Sequence, residues 1–285
     1  MMKNNYFLNK TIIITGANQG IGLKIAKHFY LKGSNLILCS RNKKKLLSVK
    51  KKLVTKFKNK LLLEQLDISK KKQVDKFYKK ILNKKIKVDI LINNAAILGP
   101  KGPTETLNWN EWRKTLEVNL IGSIYMINKI VPHFKKNKYG KILQLSGGGA
   151  TSSFPFFCPY SVSKTGIVRF IENISIELKD YNIFANSVAP GPVVTNMLKE
   201  VVKAGPKKVG VDYYLKTKKI IKKGGTDINK VLNLIEFLAH KNSDMITGKL
   251  LSAVWDNLEM FSKNKKKLNN SDFGTLRRIT FKGKI

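Results

Sequence analysis

The chain has 285 residues, 42% of them apolar, which suits one sizeable α/β core and leaves little room for a second full domain. Its 55 Lys and Arg against 18 Asp and Glu give a net charge of +37, yet no apolar run is long enough to span a membrane. Two cysteines, Cys39 and Cys158, and three scattered histidines, His28, His133 and His240, argue against a disulfide framework or a metal cluster. Short apolar runs then alternate with longer amphipathic ones along the chain. The alternation predicts a strand at 11–15, a helix at 21–32, a strand at 35–40 and a helix at 43–57. A strand at 61–66, a helix at 70–82, a strand at 89–93 and a long helix at 109–136 follow. The series ends with a strand at 141–146, a helix at 160–181, a strand at 184–189, a helix at 229–240 and a strand at 249–253.

Seven strands with intervening helices predict a doubly wound parallel sheet, whose ligand crevice lies beyond the carboxyl ends of the strands. One domain is expected over 1–257, followed by a basic C-terminal extension at 258–285 that covers a neighbouring subunit or stands in solvent. Residues 197–225, rich in Lys, Gly and Tyr with little period, read as a mobile lid or substrate loop. The start, MMKNNYFLNKTIIITG, lacks the apolar block and cleavage pattern of a secretory signal, so the cytoplasm is the expected location. The KKK runs lie in different segments, with few aromatics between them and no recognisable nucleic-acid module. The charge therefore reads as solvated faces that steer anionic ligands, and no specific nucleic-acid partner is expected.

TGANQGIG, from Thr15 to Gly22, follows the first strand and opens the first helix. Glycine permits a tight turn there, and the helix N-terminus offers free N–H groups to a pyrophosphate. The second strand ends ILCSRN. An acidic residue at that point favours the ribose of NAD, whereas Ser40 followed by Arg41 favours the extra phosphate of NADP, with NAD still possible. Asp67, in LDIS with Ile68, is placed to contact the adenine or to cap the next helix.

Together these residues resemble the short-chain dehydrogenase/reductase family, over about residues 10–254. The resemblance implies a Rossmann fold, a dinucleotide cofactor, a small-molecule carbonyl/alcohol substrate and a homodimer or homotetramer. Its cofactor residues here would be Thr15, Gly16, Asn18, Gly20, Ile21 and Gly22, with Arg41, Asp67 and Ile68. NNAA, which supplies Asn93, Asn94 and Ala95, is similar to the family's Asn-Asn-Ala-Gly, with alanine in place of its last glycine. PGPVVT supplies Pro190, Gly191, Val193 and Thr195, similar to the loop that closes over the nicotinamide. YSVSK supplies the family's Tyr-x-x-x-Lys pair as Tyr160 and Lys164, both cofactor-contacting and catalytic, and EVNLIG supplies Asn119, its catalytic asparagine. By resemblance Asn119 bends its helix and holds a water in a proton relay.

Tyr160 and Lys164 share a helix face, so an ammonium would stand beside a phenol and lower its pKa, making it a usable acid or base. The family's serine, however, falls on Gly147 when counted back from Tyr160, with Ser146 one residue early. Ser146 is the expected replacement; Thr151, Ser152, Ser153 or a backbone N–H of the glycine run are the alternatives. Phe154, Phe156 and Phe157 would line a substrate pocket, with Tyr213 and Tyr214 as a second wall. SAVWDNLEM replaces the family's Asp-Gly-Gly ending. The expected protein is an NADP-preferring oxidoreductase. The alternative is a non-catalytic dinucleotide-binding scaffold with a basic nucleic-acid- or membrane-binding surface.

Overall fold

Runs of Ile, Leu and Val form the sheet, and its central strands are buried residue by residue, as a parallel sheet covered on both faces requires. A computed structural model of the chain describes residues 5–53, 55–280 and 283–284. Residues 1–4 of the expected domain, residue 54 of the second expected helix, and 281, 282 and 285 of the expected extension lie outside these. The strands are β1 (Thr11–Thr15), β2 (Asn35–Ser40), β3 (Leu61–Gln65), β4 (Ile90–Asn93), β5 (Gly140–Leu145), β6 (Ile183–Ala189) and β7 (Leu250–Ser252). They align in the order β3-β2-β1-β4-β5-β6-β7, each neighbouring pair parallel. Strand order reverses between β1 and β4, so the crevice opens there.

The helices are α1 (Gly20–Tyr30), α2 (Lys43–Lys50), α3 (Lys71–Asn83), α4 (Trp109–Leu116), α5 (Ser123–Lys136) and α6 (Cys158–Glu177), then α7 (Asn196–Ala204), α8 (Pro206–Val209), α9 (Val211–Lys222), α10 (Ile228–Ala239), α11 (Leu258–Lys263) and α12 (Lys265–Asn269). Side chains alternate across each strand, so Ile12 and Ile14 pack in one core layer with Ile25 of α1 and Leu234 of α10. Ile13 packs in the other, with Phe77 of α3, Ile127 of α5 and Ile171 of α6. No helix among the described residues is long and apolar enough to cross a membrane.

Four expectations change. The second helix stops at Lys50, because the run Lys50–Lys52 stacks like charges with no acidic partner a turn away. The long helix 109–136 is interrupted by a π turn, Glu117–Gly122, where Asn119 spends its side chain outside the helix. The lid 197–225 is helical: α7 buries Leu198 and Val201, Gly205 and Gly210, at φ 80° and 79°, divide the segment, and the longest piece, α9, buries only Thr217 and so shows no buried apolar stripe. Residues 258–277 fold back on their own body, with Phe261 and Leu268 in the core.

Candidate active site

A single cavity of ≈ 1660 Å³ runs along the carboxyl ends of the strands, from the glycine turn to α6 and the α7–α9 segment. At its polar end, the Thr15 hydroxyl accepts hydrogen bonds from the Asn94 and Ala95 amides, each at 3.0 Å. The Asn94 side chain donates back to the Thr15 and Gly16 carbonyls at 2.9 and 3.2 Å. The ends of β1 and β4 are thereby laced across the crevice. Gly16 and Gly20 take left-handed φ values of 65° and 56°. A Cβ on Gly22 would overlap the Gly16 carbonyl, so the first turn of α1 can close on the strand end only without a side chain. Gln19 precedes α1 without a side-chain cap, which leaves first-turn N–H groups for an anionic oxygen.

Thr15, Gly16, Asn18, Gly20 and Ile21 reach the cavity wall, as do Arg41, Asp67, Ile68, Asn94 and Ala95. Pro190, Gly191, Val193 and Thr195 join them from the loop after β6, with Ser146, Tyr160 and Lys164. Gly22, Asn93 and Asn119 stand behind the wall. Asn93 donates to the Ser123 carbonyl at 3.0 Å. The Asn119 amide bonds both backbone groups of Ile97, at 2.9 and 2.8 Å, and donates to Ser163 Oγ at 3.1 Å, so it ties the loop after β4 to α6. Burial would raise the Asp67 carboxyl, but bonds from Ser69 and the charges of Lys114 and Arg41 hold it below the usual range. Lys45, beside Arg41 on the wall, escaped the sequence reading; its place in the first turn of a helix capped by Asn42 was the available signal. The glycine cradle, the cationic rim at Arg41 and Lys45 and the Asp67 carboxylate fit a dinucleotide.

Pro159 at the start of α6 and extended burial along one face set Tyr160 and Lys164 side by side, at 7% and 2% exposure. The Lys164 ammonium lies 5.5 Å from the Tyr160 ring centroid and donates to the Leu145 carbonyl at 2.9 Å. That carbonyl also accepts from Gln144 Nε2 at 3.1 Å. Burial pushes the Tyr160 phenol well above the usual tyrosine range, with a smaller contribution from Tyr213. It pushes Lys164 down to about 8. The expected lowering of the phenol is thus overturned, because desolvation of a buried hydroxyl outweighs an ammonium that faces a carbonyl.

Gly147 explains the missing serine. A Cβ on it would overlap the Tyr160 hydroxyl and stand 3.2 Å from Cζ, so the tyrosine oxygen occupies the room a side chain would take. Ser146 is buried at 4% exposure, and its Oγ has no hydrogen-bond partner among the described residues. Thr151, Ser152 and Ser153 line the cavity as exposed rim residues. Around Tyr160 the packing is apolar, with Phe154 and Tyr213 on the cavity wall, Phe157 behind it in the core and Tyr214 not on the wall. Phe154 and Phe157 stack at 4.4 Å and 8°, Tyr213 meets both edge-on at 5.0 and 5.3 Å, and Leu98, Val201 and Val209 pack in the same cluster.

A family model described as short chain dehydrogenase matches residues 10–205. The chain is 32% identical over 201 residues to Dehydrogenase/reductase SDR family member 7B of Xenopus laevis, covering 67% of this chain and 61% of that protein's length. Among solved structures, it is similar to NAD+-bound xylitol dehydrogenase, at a TM-score of 0.77 and 23% identity over 86% of this chain and 98% of that one. It is also similar to L-sorbose reductase from Gluconobacter frateurii complexed with NADPH and L-sorbose, at 0.76 and 22% over 86% and 95%. The matched span runs from the glycine turn through the Tyr160–Lys164 pair to α7, and the chain belongs to the short-chain dehydrogenase/reductase family of oxidoreductases.

Proposed function

We propose that the protein is an NADP-preferring carbonyl reductase with Tyr160 as its proton donor. The observation that carries this reading is the buried Tyr160–Lys164 pair on the wall of the cavity that also contains the glycine turn. When bound, the nicotinamide supplies the hydride that adds to the carbonyl carbon. Tyr160 gives its phenolic proton to the carbonyl oxygen. Lys164 holds positive charge beside the phenol as it loses the proton. Ser146 donates to the substrate oxygen: a buried hydroxyl without a partner is costly, and a carbonyl satisfies it, whereas the rim hydroxyls have water. Asn119 is a positioning residue that fixes α6 through Ser163, whose Oγ donates to the Tyr160 carbonyl at 2.6 Å.

Oxidation of NADPH and NADH, followed by absorbance with a panel of ketones, tests the reading; faster turnover with NADH overturns the NADP assignment. Arg41→Ala is expected to raise KM for NADPH roughly 10-fold and leave KM for NADH unchanged, the loss of one charge-assisted phosphate contact. A pH profile gives a second check. Lys164, pushed down to about 8, is charged below that pH and neutral above it. For reduction, kcat/KM is therefore expected to be level from about pH 6 and to fall about tenfold per unit above about pH 8. A profile level to about pH 10 removes Lys164's charge from the mechanism.

Exposed apolar side chains at Ile121 on the π turn and Val162 and Ile176 on α6 support a homodimer or homotetramer built on these elements. The free cysteines Cys39 and Cys158 suit a reducing compartment such as the cytoplasm.

A further inference from the structure

We infer that residues 271–277 form part of the substrate site, with Phe273 selecting substrates that carry a flat apolar group remote from the reacting carbonyl. This rests on the carbonyl-reductase reading above. The segment is fastened at both ends. Gly274 O accepts from the Leu250 amide at 2.6 Å, extending the hydrogen bonding of β7 at the sheet edge, and Lys249 Nζ donates to Ser271 O at 2.5 Å. Gly274 sits at φ 65°, and a Cβ there would stand 2.7 Å from the Leu250 carbonyl, so the approach requires glycine.

The second fastening is a buried carboxylate on the helix that carries Tyr160. Glu172, with its side chain 8% exposed, accepts from the Leu276 amide at 2.7 Å and from Arg277 Nη1 at 3.1 Å. Arg169 completes the clamp, donating to Glu172 and to the Leu276 carbonyl, both at 2.5 Å. A carboxylate buried in this way holds geometry, since removing its partners leaves it unpaired, although the two arginines themselves are 47% and 35% exposed.

Between the fastenings, Phe273, Gly274 and Thr275 line the cavity that contains Tyr160. The Phe273 ring is braced edge-on by the buried Phe261 at 5.8 Å, yet remains 45% exposed. Trp255, which follows β7, lines the same cavity and is 86% exposed. Two large rings left to solvent on the wall of a deep cavity mark where a ligand buries apolar surface, and rings favour flat partners.

The test compares binding of acetylnaphthalene and butanone to the full chain saturated with NADP+, read by calorimetry, so that no turnover is needed. Phe273→Ala is expected to weaken acetylnaphthalene binding about tenfold and leave butanone unchanged. Phe273→Leu, which keeps most of the volume, gives the same pattern with a smaller loss and serves if the alanine variant does not fold. Equal binding by parent and variants, equal losses for both ketones, or no ketone bound by the parent overturns the inference. Turnover with NADPH is scored separately. Phe273-dependent binding without turnover counts against the reductase reading alone.

Discussion

Replacing Tyr160 by Phe is expected to lower kcat for the proposed carbonyl reduction by about 10²–10⁴-fold and to leave NADPH affinity close to that of the parent. The ring contacts survive the change, since Phe154 meets the Tyr160 ring edge-on at 6.5 Å through carbon alone. Among the described residues the Tyr160 hydroxyl makes no hydrogen bond, so its removal leaves no donor or acceptor stranded. What disappears is the proton held next to the reacting oxygen. Single-turnover rates with saturating NADPH, together with the cofactor dissociation constant from nucleotide fluorescence, separate chemistry from binding. A variant within about threefold of the parent in kcat would remove Tyr160 from the reaction.

The second large effect runs against intuition. Gly147→Ser introduces the residue type that the family resemblance leads one to expect, and it is expected to lower turnover about 10²-fold. A Cβ at Gly147 overlaps the Tyr160 hydroxyl, and that oxygen cannot be accommodated without displacing the ring or the glycine run. A displacement of about 1 Å at a reacting atom costs on the order of 10² in rate. Gly147→Ala should match the serine variant, because the clash belongs to the Cβ they share. Measuring kcat for both beside the parent checks this, with Tm as a control for folding. A serine variant faster than the parent would show that Tyr160 relaxes at no cost and that the hydroxyl is wanted at 147.

The sheet and the polar end of the cavity were legible in the sequence because their causes are local. Strands such as 11–15 are short apolar runs, and Gly16, Gly20 and Gly22 mark a turn whose geometry follows from the missing side chains. Tyr160 and Lys164 are four apart on one helix, so their proximity follows from helical geometry. The direction of the Tyr160 shift was not legible. Proximity suggested an ammonium acting on a phenol, but enclosure by Leu98, Phe157 and Tyr213 comes from three separate stretches of chain. The helices α7 to α9 were hidden because Gly205 and Gly210 divide the segment, α7 and α8 are short, and α9, as long as α10, buries only Thr217 and so shows no buried apolar stripe. The return of residues 271–277 depends on Glu172, more than a hundred positions upstream, and on no pattern within the segment itself.

The Leu145 carbonyl carries one further consequence. By accepting Lys164 Nζ at 2.9 Å it anchors the ammonium to the rigid end of β5. A long, flexible side chain that would otherwise sample many rotamers is parked before any guest arrives, and its ordering cost is met during folding. Under the proposed mechanism each cycle therefore begins with the cation already in station, and no part of the encounter with substrate is spent on gathering it.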